Sequence, residues 1–256
     1  MKKTLIALAV AASAVVSGSA MAWTANGSGG NVELGGTLTP VEKSTPWEVQ
    51  IGAAATDLNG QIKKGLSEAS IVTGKSIPVL GIRVSKGNSF KGEPGITPNI
   101  DYQNTIDTSK FSANKTVLTL TVNDEQGHKI GTLNTKLSAM GRLARAGVDP
   151  ANMTLFASDV GHAFFGGLPA SANGIDDGNI SVIGDIFPNI LAHFDGLGVW
   201  YSGKGFSYVN NRSATYSAAY GAGIVKGEQI NIMLDTPAAA DAIVWRASLP
   251  VIVSYQ

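Results

Sequence analysis

Apolar and polar positions alternate with a period of two along most of this chain, and the alternation begins close to its start. Over 23–39, WTANGSGGNVELGGTLT, the residues Gly30, Val32, Leu34, Gly36 and Leu38 fall on one side of an extended strand, and Asn31, Glu33, Gly35 and Thr37 on the other. A strand so rich in glycine has few side chains to pack and loses much backbone entropy on ordering, so the pattern predicts an element that needs a host sheet. The far end, 249–256 (LPVIVSYQ), alternates again, with Val251, Val253 and Tyr255 on one face.

Between the two ends the pattern predicts strands over 47–51, 70–73, 78–84 and 99–102. The stretches 116–122 and 129–137 flank the polar turn 123–127 as a hairpin. Gly87, Gly92, Gly95, Pro94 and Pro98 predict a surface loop over 87–98. The middle, about 141–198, shifts toward helical spacing. After Asp149-Pro150, a cap residue followed by a proline, Leu155, Phe156, Val160 and Ala163 recur at helical intervals until Gly166-Gly167. A second helical piece over 182–194 carries Ile183, Ile186, Phe187, Ile190 and Leu191. Strands resume over 216–225, 228–234 and 242–249. The expected architecture is mostly β: one sandwich over 41–256 with a helical insert, because strands on both sides of the insert are needed for a single core.

The first 22 residues are of another kind. Lys2 and Lys3, an apolar run to Val16 and the small-x-small triplet Ala20-Met21-Ala22 predict an export signal, with the mature chain starting at Trp23. Without those two lysines the 19 Lys+Arg fall short of the 19 Asp+Glu, which gives no electrostatic reason to expect nucleic acid. There is no cysteine, so disulfides, thiolate metal sites and a cysteine nucleophile are excluded. Charged residues make up 15% of the chain, below the roughly 25% usual in soluble domains. Together with 31 glycines this suits an exported, turn-rich β protein.

The leader MKKTLIALAVAASAVVSGSAMA before Trp23, the segment NVELGGTLT, the block LFASDVGHAFFGGL (155–168), the segment SAAYGAGI (217–224) and the tyrosine-bearing end resemble the kappa-class chaperone-usher fimbrial subunits of enterotoxigenic enterobacteria, the polyadhesin fimbriae family. The resemblance spans essentially the whole chain. It implies an incomplete immunoglobulin-like β-sandwich whose missing strand comes first from a periplasmic chaperone and then, at an outer-membrane usher, from the N-terminal extension of the next copy. Over 23–40 that makes Val32, Leu34, Gly36 and Leu38 the donor side chains, and Val251, Val253 and Tyr255 the border of the groove. The resemblance further implies a major subunit at the cell surface that binds host glycoconjugates through the insert. One departure is that pilus subunits often carry glycine at the fourteenth position from the end, where Ile243 stands here.

Each assignment has a plainer counterpart. The first strand can pair within its own sheet, Tyr255 can be an ordinary sheet aromatic, and the chain can be a minor or purely structural subunit. For the sugar surface the candidates are Arg142, Arg145, Trp200 and Tyr201, since sugar rings stack on aromatic faces and guanidinium groups donate to hydroxyls; Arg142 and Arg145, three apart, are expected to share a helix or turn face, and the plainer reading packs Trp200 in the core. No catalytic motif accompanies His128, His162 and His193: there is no G-x-S-x-G, no H-E-x-x-H and no phosphate-loop lysine after Gly29-Gly30. The histidines also lack ligand spacing, and Asp176-Asp177 before Gly178 reads as an acidic turn. No enzyme activity and no cofactor is expected.

Overall fold

The computed structural model describes residues 34–39, 44–85, 87–177, 181–239 and 241–256. The expected export signal, Val32 and most of the predicted donor strand lie outside them. The chain divides into two units, 1–43 and 44–256. In the first, 34–39 has no regular secondary structure, and Leu34 and Leu38 are exposed.

The second unit is mostly β. Among the described residues its strands are β1 (Trp47–Ile51), β2 (Glu68–Val72), β3 (Ile77–Val84), β4 (Phe90–Lys91), β5 (Pro98–Asp101), β6 (Lys115–Asn123), β7 (Lys129–Ala146), β8 (Ala151–Leu155), β9 (Gly203–Gly205), β10 (Thr215–Ile224), β11 (Gln229–Leu234), β12 (Arg246–Ala247) and β13 (Ile252–Tyr255), with one α-helix, α1 (Ser181–Ile186), between β8 and β9. The main path of the large sheet runs β1-β3-β10-β7-β11-β2, and β13 pairs with β5 in a second, small sheet.

Strand β7 holds the large sheet together. Its first half lies between β6 and β11, pairing Leu133 with Leu120 and with Ile232, while its second half lies between β10 and β8, pairing Leu143 with Ala218 and with Met153. It runs to Ala146, beyond the expected end at Leu137, because its later side chains Met140, Leu143 and Ala144 are buried. The hairpin partner β6 keeps strict alternation: Thr116, Leu118, Leu120 and Val122 face inward while Val117, Thr119 and Thr121 face out. An antiparallel strand with one wet face has that pattern.

The expected helix after Asp149-Pro150 is not formed. Asp149 takes a left-handed turn conformation at φ 42°, and Ala151–Leu155 returns as strand β8, buried throughout and paired with β7 and β9. Ladder partners on both sides outweigh an apolar spacing that fits either period. From 141 to 146 the chain is likewise strand, so among the described residues the α-helix in this stretch is Ser181–Ile186, followed by turns to 193. Of the strand expected over 242–249 only β12 forms, and the expected loop over 87–98 contains β4.

Two apolar clusters result. The main one joins Trp47, Leu80, Ile82, Leu118, Leu137, Leu143, Phe164 and Tyr220. The smaller one packs Ile183, Ile186, Phe187 and Ile190 against Met140 and Ala219. The sheet admits α1 because small residues floor its seat: a Cβ on Gly221 would meet Ile183 at 3.1 Å, and one on Gly81 would meet Phe187 and Ile190 at 3.2 Å. Covered on both sides, β10 is buried at every position after Thr215.

Candidate functional site

The C-terminal strand presents the first candidate site. Thr97 and Gln256 exchange both backbone hydrogen bonds at 3.0 Å, which makes them a hydrogen-bonded pair of the β13–β5 ladder. In an antiparallel ladder such pairs recur every second residue, so Ser254 and Ile252 also turn their backbone groups toward β5. The N–H and C=O groups of Val253 and Tyr255 therefore point to the opposite edge. Among the described residues no strand pairs with β13 on that edge. Val251 and Val253 are half-buried and touch the main core, as do Trp245, Leu249, Leu58 and Ile62. Ile252, between the two valines, is exposed. Burial raises the Tyr255 hydroxyl above its ordinary pKa, opposed by a hydrogen bond with the Thr45 side chain.

The second candidate surface lies on β7, β8 and the loop after the helix. Arg142 and Arg145 stand three apart, and on a strand this puts them on opposite faces, so they do not share a helix or turn face as expected from sequence. Half-buried Arg142 places its guanidinium 4.7 Å from the Tyr201 ring centroid and 5.7 Å from that of Phe194. Its Nη2 donates to Asn152 Oδ1 at 2.6 Å, and its Nε is buried without a hydrogen-bond partner among the described residues. Burial lowers its pKa, while Tyr201 and Asp177 act to raise it. The Tyr201 hydroxyl lies 3.2 Å from Thr154 Oγ1. Trp200 is 92% exposed, which excludes the reading that packs it in the core.

Arg145 belongs to a separate recess. Its Nε donates to the Asp149 carbonyl at 2.8 Å, and its Nη1 approaches Ser207 Oγ at 3.4 Å. Sequence reasoning missed the aromatic residues there. His162 is buried, stacked on Phe206 at 4.3 Å and edge-on to Tyr208 at 4.7 Å. The signal was the F-S-Y alternation at Phe206 and Tyr208, which puts both rings on one side of an extended segment. Among the described residues no group of three His, Asp or Glu is arranged to hold a metal ion.

The features define a mostly β protein whose C-terminal strand is paired on one side among the described residues and whose surface carries exposed aromatic residues. Over residues 1–256 the sequence matches the family described as "Fimbrial, major and minor subunit". It is 30% identical to K88 fimbrial protein AC and to K88 fimbrial protein AD, and 27% identical to F41 fimbrial protein, all from Escherichia coli, with each chain covered in full. The chain belongs to this family of fimbrial subunits.

Proposed function

We propose that this fimbrial subunit polymerises by donor-strand exchange and that the fibre attaches bacteria to host glycoconjugates. The observation that carries the assembly half is the edge of β13 that no strand pairs among the described residues. An unpaired strand edge beside half-buried Val251 and Val253 exposes backbone donors, acceptors and apolar surface that a further strand satisfies. The segment around Leu34, Gly36 and Leu38 has the matching alternation, and a glycine-poor sheet edge can host it where it is unstable alone. On this reading a periplasmic chaperone fills the edge first, an outer-membrane usher exchanges it for the next copy's 23–40 segment, and the insert region with Trp200, Tyr201 and Arg142 meets the sugar. The exposure of Trp200 supports the adhesive role over a purely structural one, because an apolar ring held in water gains from stacking on a sugar face.

The test moves the donor. Deleting 23–39 and appending that sequence after Gln256 through a short flexible linker should give a soluble monomer that melts far above the deletion alone, since closing a short loop costs little compared with the pairing gained. Equal melting temperatures would make the segment a dispensable tail.

A further inference from the structure

The recess around Arg145 differs in chemistry from the Trp200 surface. It has a volume of about 200 Å³ and is lined by Arg145, Asp149, Phe206, Tyr208, Asn210 and Asn211, with Tyr216 at its floor. Phe206 is 46% exposed and Tyr208 43%, and they meet nearly at right angles with centroids 6.4 Å apart. Both rings are braced by buried His162. The walls are therefore aromatic and held in place, and Asn210 and Asn211 add amides that both donate and accept.

The cation in this recess has no ion-pair partner among the described residues, although the Asp149 side chain also lines the recess. Arg145 is oriented by the Asp149 carbonyl and by Ser207 Oγ, both of them uncharged groups, and shares the recess with Tyr216. Among the described residues no carboxylate forms an ion pair with it, whereas Arg83, Lys75, Lys115 and Lys204 each have one. These contacts leave part of the guanidinium fork uncommitted, and a planar fork matches a carboxylate with two parallel hydrogen bonds. A pocket of this size suits one terminal sugar, being smaller than the roughly 300 Å³ from which drug-sized sites begin.

We propose that the recess lined by Arg145, Phe206, Tyr208, Asn210 and Asn211 is a subsite for a carboxylate-bearing terminal sugar, distinct from the Trp200 and Arg142 surface. The carboxylate lies end-on to the Arg145 fork, an apolar face of the sugar ring lies on Tyr208 or Phe206, and the sugar hydroxyls donate to Asp149 and to the asparagine carbonyls. The inference rests on the adhesive reading above and adds to it the charge of the ligand and the residues that select it.

The experiment applies intact fibres of the full chain to an array of neutral, sialylated, uronate-terminated and sulfated glycans, with Arg145→Gln, Tyr208→Ala and Trp200→Ala fibres alongside. The expected result is binding to carboxylate-terminated glycans that falls at least tenfold in both Arg145→Gln and Tyr208→Ala fibres and weakens as salt is raised. Tyr208→Ala removes an exposed ring and leaves the charge in place, so it reports on the recess if Arg145→Gln reduces fibre yield. Binding confined to neutral glycans, equal binding of sulfated and carboxylated sugars, or carboxylate binding unchanged in both variants overturns the subsite while the adhesive reading stands. Binding to no glycan at all overturns both.

Discussion

The Arg142 guanidinium lies over the Tyr201 ring at 4.7 Å, with Phe194 at 5.7 Å from the same cation and Asn152 Oδ1 accepting from its Nη2. This arrangement couples β7 to the loop that presents Trp200. A partly desolvated cation–π contact and a charged hydrogen bond each contribute on the order of 1–2 kcal/mol. Arg142→Ala should therefore destabilise the subunit by about 2 kcal/mol in urea unfolding. Arg142→Lys should recover less than half of the loss, because an ammonium cannot lie flat on the ring while bonding Asn152. Full recovery by lysine would reduce the contact to simple charge.

Trp200 next to it makes the opposite prediction for stability. At 92% exposure its ring buries almost nothing, so Trp200→Ala should leave unfolding within about 0.5 kcal/mol and fibre yield unchanged, while attachment of intact fimbriae to host cells drops. Lost fibres would mean the ring packs against a neighbouring subunit instead of a sugar.

Assembly is tested at Leu34. If this side chain fills the space beside Val251 and Val253, Leu34→Asp puts a carboxylate into an apolar slot at a cost of several kcal/mol. Fibres should disappear while the subunit still accumulates in the periplasm. Normal fibre length in electron micrographs of that mutant would remove Leu34 from the donor set.

The seat of α1 gives a prediction about packing. A Cβ on Gly221 already falls 3.1 Å from Ile183, so Gly221→Val should displace the helix and cost about 2 kcal/mol or more by overpacking. Gly184, whose Cβ would meet nothing within 4 Å, should accept alanine with no loss, and helix propensity favours the change. The check is thermal unfolding of the two variants side by side.

The strands were largely legible in the sequence: β1 spans the expected 47–51, and β6 covers the expected 116–122 because a strand with one wet face writes its alternation directly into the chain. The same rule failed for β8. Ala151–Leu155 is covered on both faces, so its apolar run has no period of its own, and the Asp149-Pro150 pair before it looked like a helix start. The pairing of Arg142 with Arg145 failed for the same reason: once 141–146 is strand, three residues apart means opposite faces. Val251, Val253 and Tyr255 were legible as one face. That the backbone groups of Val253 and Tyr255 also share the edge left without a partner strand among the described residues depends on the Thr97–Gln256 register, which no local pattern encodes.

His162 gives the pH prediction. Its ring is buried between Phe206 and Tyr208, and its Nδ1 accepts from the Asp159 backbone N–H at 3.4 Å, which requires the neutral imidazole on that side. Burial lowers its pKa below the ordinary value of about 6.5, and the Asp159 carboxylate opposes the shift without cancelling it. With the folded pKa depressed, the unfolded chain takes up the proton first as pH falls. The contribution to stability is complete above about pH 6.5 and is lost as pH drops from there through the folded value. His162→Phe keeps the stack and removes the titration. Plotted against pH, the difference in unfolding free energy between the parent and this variant should be flat above pH 7 and shift steadily in favour of the variant between pH 6.5 and 5. A difference independent of pH over that interval would show that the folded ring protonates as readily as the unfolded one, and that the aromatic wall beside Arg145 does not depend on a neutral histidine.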